Sequence, residues 1–325
     1  ESAYGPSPHA VTAARAAVTG IARYLEDPDG ALAPVIARRF GLRENQITIG
    51  QGSDDLLARL ARAYLGPGTE LIRSANGYLK VPNYAHANDA TVISVPDDDF
   101  KPSVDRMIAA ITERTRIVYL ANPENPAGTY LTGAEVRRLH AAIPEHALLI
   151  IDCAYEEYVD ASDYEPGHRL VEEAGNVVMC RTLSKIFGLA GARVGWAYGP
   201  HDVIDVLRRI ALTFPVAAPS AAAAMAALED HSHTKFVHDA NLTARNGLTA
   251  QLEKLGLEVV PSQTNFILVK FSDPRRSAAA ASDALRNAGI AVRRFGSPAY
   301  RDHIRITIGL PEELAACVAG IAAFL

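Results

Sequence analysis

The chain has 325 residues, 49% of them hydrophobic and 21% charged, with a formal net charge of −5. That apolar share excludes a disordered polymer, and the acidic balance argues against a phosphate-neutralising nucleic-acid surface. No apolar run approaches the ~20 residues that a membrane-spanning helix needs. The Ala-rich stretch from Val216 to Leu228 is too short and contains Pro219.

The length favours about two domains. The three cysteines, Cys153, Cys180 and Cys317, lack zinc-site spacing and point to reduced thiols in the cytoplasm. The start at Glu1 shows no charged segment leading into an apolar core, so no signal peptide is expected.

In chain order, short apolar runs predict strands at Ile47–Ile49, Thr91–Val95, Arg116–Leu120, Ala147–Ile151 and Asn176–Met179. Amphipathic stretches lie between them, such as the one beginning at Leu56. Strands alternating with helices imply an α/β fold with a mostly parallel sheet, whose ligands bind outside the carboxyl ends of the strands. Past about Phe214 the pattern changes. A helical region from Ser220 to Leu255 precedes candidate strands at Gln263–Phe271 and His303–Ile308, with a helix at Arg276–Ala288 between them. This reads as a smaller α+β domain.

Six of the 32 basic residues are lysines. Lys185 stands apart because small and apolar residues follow it, Ile186 to Gly191, after the predicted turn Arg181–Ser184. In a dry pocket its pKa would fall, as a Schiff-base lysine requires; on the surface it would snorkel. The turn Gly50-Gln51-Gly52-Ser53-Asp54-Asp55 can present free N–H groups to an anion, or simply cap a helix with Ser53 or Asp54. Asn122-Pro123-Glu124-Asn125-Pro126-Ala127-Gly128 is a rigid turn at a strand end. Its Asn125 amide either faces the crevice or belongs to an ordinary loop. Asp152 ends an apolar strand, where a carboxylate must be paired or cap a turn. His231, His233 and His238 fall in a polar stretch without a Cys partner, so no metal site is expected.

Taken together, the glycine-rich turn, the aromatic Tyr78, the Asn-Pro turn, the strand-end Asp152 with Tyr155, and Ser184-Lys185 with Arg193 resemble the fold-type I pyridoxal-phosphate aminotransferases. Within that group the chain is most similar to the histidinol-phosphate type. The likeness runs through Tyr4-Gly5-Pro6-Ser7-Pro8, Arg181-Thr182-Leu183-Ser184-Lys185, Gly188-Leu189-Ala190-Gly191-Ala192-Arg193, Gln263-Thr264-Asn265-Phe266 and Ile304-Arg305-Ile306.

The resemblance implies a seven-stranded-type, mostly parallel sheet in a large domain at 26–213, with 1–25 and 214–325 forming a small α+β domain. It implies ping-pong amino transfer through a Schiff base on Lys185, with a 2-oxo acid as acceptor. Asp152 would meet the pyridine nitrogen, Asn125 and Tyr155 the ring oxygen, and Tyr78 the ring face. Ser53, Asp54, Thr182, Ser184 and Arg193 would bind the phosphate. Tyr24 would reach the phosphate of a partner subunit, which implies a homodimer with shared sites. Arg305, with Arg293, Tyr4 and Asn125, would take the substrate. The alternatives are an aromatic amino-acid aminotransferase and a threonine-phosphate decarboxylase-like lyase. The chain departs from the family pattern at Leu79, Asp55, Cys153 and Phe214-Pro215-Val216.

Overall fold

The computed structural model describes all 325 residues. Seven strands form the main sheet: β1 (Ile47–Gly50), β2 (Glu70–Ser74), β3 (Thr91–Val95), β4 (Thr115–Ala121), β5 (Leu148–Asp152), β6 (Val177–Thr182) and β7 (Gly195–Tyr198). Their order across the sheet is β1-β7-β6-β5-β4-β2-β3. Every pair is parallel except those made by β7, which runs antiparallel to both β1 and β6. A parallel sheet must be covered on both faces, which is why β5 and β6 are buried throughout and read as apolar runs until their carboxyl ends. Only β3, at the edge, is largely open.

Alternate residues feed opposite faces. Val118, Leu120, Leu149 and Ile151 join the core of one face, while Ile117, Tyr119, Leu148 and Ile150 join that of the other. The second face is covered by the helix Ser53–Tyr64 through Leu56, Leu57, Leu60 and Ala61. By this alternation Asp152 lies on the same side as Tyr119 and Ile150, toward that helix.

A separate antiparallel sheet, in the order β10-β9-β8, combines β8 (Glu258–Val260), β9 (Phe266–Lys270) and β10 (His303–Thr307). Its core also contains residues of the helices Ala278–Asn287 and Pro311–Phe324, among them Ala281, Leu285, Cys317 and Ile321. No helix is long and apolar enough to cross a membrane.

Several local expectations change. Strand β6 continues through Thr182, so the predicted turn begins later. Strands β2, β7 and β8 were not expected. The helical region after Ser220 is two helices, Ala218–Glu229 and His231–Lys254. They break at Asp230, whose side chain accepts the His233 N–H at 3.0 Å and so favours a new helix start.

Candidate active site

The carboxyl ends of β4, β5 and β6 open on a cavity of about 340 Å³. Its walls bring together Ser53, Asp54, Tyr78, Asn125, Asp152, Tyr155, Thr182, Ser184, Lys185 and Arg193. These residues come from five separate segments of sequence, and the strand ends gather them as the α/β fold predicts.

Asp152 ends β5 and is 6% exposed. Its Oδ2 accepts the Tyr119 hydroxyl at 2.8 Å, while the buried Oδ1 has no partner. Burial outweighs the Tyr119 bond and pushes the carboxyl up to about 6. The resulting acceptor is costly unless a donor meets it.

Lys185 follows β6, its Nζ 5.6 Å from the centre of the Tyr155 ring. Burial lowers its pKa, and the nearby Asp152 charge opposes that fall. Burial also pushes the Tyr155 phenol up to about 12, so it remains a neutral donor. Tyr78 reaches across to Asp54, its hydroxyl donating to Oδ1 at 2.9 Å, and Tyr84 donates to the same oxygen at 2.8 Å.

One end of the cavity is a cradle for an anion. The helix beginning at Ser53 has Gly52 as its N-cap and no side-chain cap, so neither Ser53 nor Asp54 closes it. Its first N–H groups are therefore free to bind. Gly52 has φ +82°, and a Cβ there would lie 2.6 Å from Arg193 Nη2. Across from it, a Cβ on Gly195 would lie 2.5 Å from both Gly52 C and Ser53 N. The two glycines let β7 and Arg193 close on the helix start. Arg193 Nη1 donates to Ala190 O at 3.0 Å and to Ser184 Oγ at 3.3 Å, and Thr182 Oγ1 donates to Ser184 Oγ at 2.9 Å.

Behind the lining residue Asn125, Arg305 Nη1 donates to Asn125 Oδ1 at 2.7 Å. That bond uses the amide oxygen and leaves the Nδ2 donors of Asn125 for a group in the cavity. The guanidinium lies 4.6 Å from the Phe266 ring centre and 5.5 Å from that of Phe295, with Nε buried and unpartnered. A planar cation sandwiched this way suits a carboxylate or phosphate.

Four expected residues do not line the cavity: Arg305, which meets it only through Asn125, and three that lie elsewhere. Arg293 pairs with Arg305 through backbone bonds of 3.0 and 2.8 Å, but its side chain is exposed beside Phe295. Tyr4 does not line the cavity; its ring meets Phe236 edge-on at 5.6 Å, in a neighbouring groove. Tyr24 is 73% exposed and stacks on Phe214 at 4.1 Å. Sequence reasoning missed Tyr119 and Glu1, which also line the cavity. The signal for Tyr119 was a hydroxyl inside a buried strand, which needs a buried partner. Glu1 is held by Asn265 Nδ2, which donates to its carbonyl at 2.8 Å. A larger hollow of about 740 Å³ at Asp27–Gly30 and Arg208 contains no lysine, and its one arginine is paired, Arg208 Nε with Asp29 Oδ2 at 2.9 Å.

The donor set fits the pyridoxal phosphate expected from sequence. The orphaned Asp152 Oδ1 matches a ring N–H, the uncapped helix start and Arg193 match a phosphate, and Lys185 matches an aldehyde.

Comparison with known proteins agrees. A family model described as aminotransferase class I and II matches residues 1–321. The chain is 46% identical to the histidinol-phosphate aminotransferase of Paramagnetospirillum magneticum, covering 100% of this chain and 90% of the relative. It is 45% identical to that of Rhodospirillum centenum, covering 97% and 87%. Its backbone is similar to a crystal structure of histidinol-phosphate aminotransferase from Sinorhizobium meliloti in complex with pyridoxal-5'-phosphate, with a TM-score of 0.94, 30% identity, and coverage of 100% and 88%.

Proposed function

The chain belongs to the class I and II aminotransferases, and from that premise we propose that it is a pyridoxal-phosphate-dependent enzyme whose amino donor is histidinol phosphate and whose acceptor is 2-oxoglutarate. The observation that carries the donor is the 46% identity over the whole chain to a histidinol-phosphate aminotransferase. It is joined by the half-buried guanidinium of Arg305, which reaches the cavity through Asn125 and would take the donor's anionic group.

When bound, the cofactor supplies an electron sink for the charge left on the donor's α-carbon. Lys185 is its covalent anchor and the general base. Burial disfavours the ammonium, so a larger fraction of Nζ is neutral and able to take the α-proton and return it. Asp152 Oδ1 would hold a proton on the ring nitrogen. The Tyr155 hydroxyl and Asn125 Nδ2 would donate to the ring oxygen, and Tyr78 would cover the ring. The N–H groups of Ser53 and Asp54, the hydroxyls of Thr182 and Ser184, and Arg193 would hold the phosphate. Arg305 binds the donor's anion, with Arg293 and Tyr4 as outer contacts that must move inward to reach it.

The assembly proposed is a homodimer. Val18, Ile21, Tyr24, Leu212 and Phe214 are all exposed. Covering them with a second copy would bury apolar surface and bring Tyr24 of one subunit toward the phosphate site of the other. Sedimentation equilibrium giving twice the 34.8 kDa chain mass supports this, and a monomer at working concentration contradicts it. The large domain is assigned to 26–213 and the small domain to 1–25 with 214–325. The three free, buried cysteines support a cytoplasmic setting.

A donor panel tests the function. Glutamate formation from 2-oxoglutarate should be fastest with histidinol phosphate. Preference for phenylalanine or tyrosine would move the assignment to aromatic transamination. Carbon dioxide release without an acceptor would move it to a lyase.

A further inference from the structure

Beneath the cavity lies a buried acid that this chemistry does not use. Glu124 occupies the middle of the Asn122–Pro126 turn and is 2% exposed. Its backbone is tied on both sides: its N–H donates to Thr129 O at 2.7 Å, and its carbonyl accepts the Gly128 N–H at 2.9 Å. Its Oε1 accepts the Asn125 N–H at 3.0 Å. The same carboxyl packs against Gly77, where a Cβ would lie 2.8 Å from Oε1 and 3.0 Å from Oε2.

Gly77 belongs to a second turn, Asn76–Tyr78, which is gripped from other directions. Ser297 Oγ donates to Asn76 Oδ1 at 3.0 Å, and the Tyr300 hydroxyl donates to Asn76 O at 3.0 Å. Asp97 also accepts from Asn76 while receiving the Ser74 hydroxyl at 2.6 Å. Tyr78 follows Gly77, and Asn125 follows Glu124. One carboxyl therefore touches two of the turns that deliver ring-facing groups to the cavity.

We propose that Glu124 is a positioning residue for the transamination: wedged between the Asn125 N–H and Gly77, its carboxyl holds the Asn125 amide and the Tyr78 ring in one register. Asn125 in turn orients Arg305, so the effect reaches the substrate's anion.

The charge around Glu124 supports this role. The charges of Arg73, Asp97 and Asp152 act on it, and its own charge would act on the Tyr119 and Tyr300 phenols. Arg73 is buried with Nε and Nη2 unpartnered. Burial first, then the Asp97 charge, pushes the Glu124 carboxyl up to about 8, against the Asn125 N–H and Arg73. At neutral pH it holds its proton, and glutamine is then its nearest mimic.

The role rests on the proposed activity, so the test has a readout independent of turnover. Glu124→Gln, Glu124→Ala and Gly77→Ala are compared with the unaltered protein. For each, pyridoxal phosphate affinity and the pH midpoint of the bound cofactor's absorbance are measured, then KM and kcat. Glu124→Ala should weaken cofactor binding, move the midpoint and raise the donor KM about tenfold, the worth of one well-made hydrogen bond. Glu124→Gln should restore all three to within about twofold. Gly77→Ala should reproduce the Glu124→Ala changes, and the double variant should add little, as expected for two residues acting through one contact.

A folded Glu124→Ala protein with unchanged midpoint and KM overturns the proposal, as does a glutamine variant no better than alanine. If Glu124→Ala does not fold, the glutamine and Gly77→Ala variants carry the same test. An unaltered protein inactive with every donor would refute the proposed function, while the affinities and midpoints would still decide the role of Glu124.

Discussion

Asp152→Asn separates the stability of this fold from its chemistry. In the unfolded chain the carboxyl titrates near 3.8, and in the folded, cofactor-free protein near 6. That difference amounts to roughly 3 kcal/mol at about 1.36 kcal/mol per pH unit. The folded protein binds this proton more tightly than the unfolded chain. Stability from this group is therefore fully present below about pH 4 and is lost as pH rises through about 6.

Asparagine removes that titration. Its Oδ1 can still accept the Tyr119 hydroxyl, and any penalty for burying its Nδ2 hydrogens does not vary with pH. Urea unfolding of the cofactor-free proteins should thus show the unaltered chain losing about 1.5 kcal/mol more than the variant between about pH 5 and about pH 8. With cofactor bound, the single-turnover rate of the same variant should fall by orders of magnitude, because the ring nitrogen loses the carboxylate that keeps it protonated. Parallel pH–stability curves for the two proteins would refute the reading of Asp152 as a desolvated acceptor awaiting a donor.

Other substitutions probe the remaining groups. Lys185→Ala should abolish transamination and the covalent attachment of pyridoxal phosphate, read as loss of the mass increase after borohydride reduction. Arg305→Ala removes a charge-assisted contact worth about 1.5–3 kcal/mol, so KM for the anionic donor should rise about 10- to 150-fold with a smaller change in kcat. Gly195→Ala places a Cβ 2.5 Å from the backbone of Gly52 and Ser53. It should cost about 1–3 kcal/mol and weaken cofactor binding, measured by absorbance titration. Gly175→Ala, with nothing within 4 Å of its Cβ, is the control.

The parts of the fold legible in sequence were those where burial on both faces forces a continuous apolar run, as in β4 and β5. Strand β2 hid because Glu70 and Arg73 read as surface residues, although both are buried. Strand β7 hid because it begins at Gly195 and contributes only four residues. The break at Asp230 carried a capping signal, since aspartate is a strong N-cap, but the surrounding helical pattern masked it.

The ten expected residues that line the cavity were legible as order along the chain, because strand-end positions are where an α/β sheet gathers ligands. What the order could not convey was direction. Local reasoning offered Ser53 or Asp54 as the helix cap, but Gly52 occupies that place because β7 and Arg193 approach too closely for a side chain. Tyr119 and Glu124 look ordinary in sequence. Their roles come from tertiary contacts with Asp152 and Gly77, at sequence separations that local patterns do not report.

The most direct test is an absorbance titration of purified protein loaded with pyridoxal phosphate. Histidinol phosphate added without an acceptor should convert the lysine-bound cofactor to its aminated form, and 2-oxoglutarate should then restore the starting spectrum. A spectrum with no lysine-bound band, or one that histidinol phosphate leaves unchanged, would contradict the account.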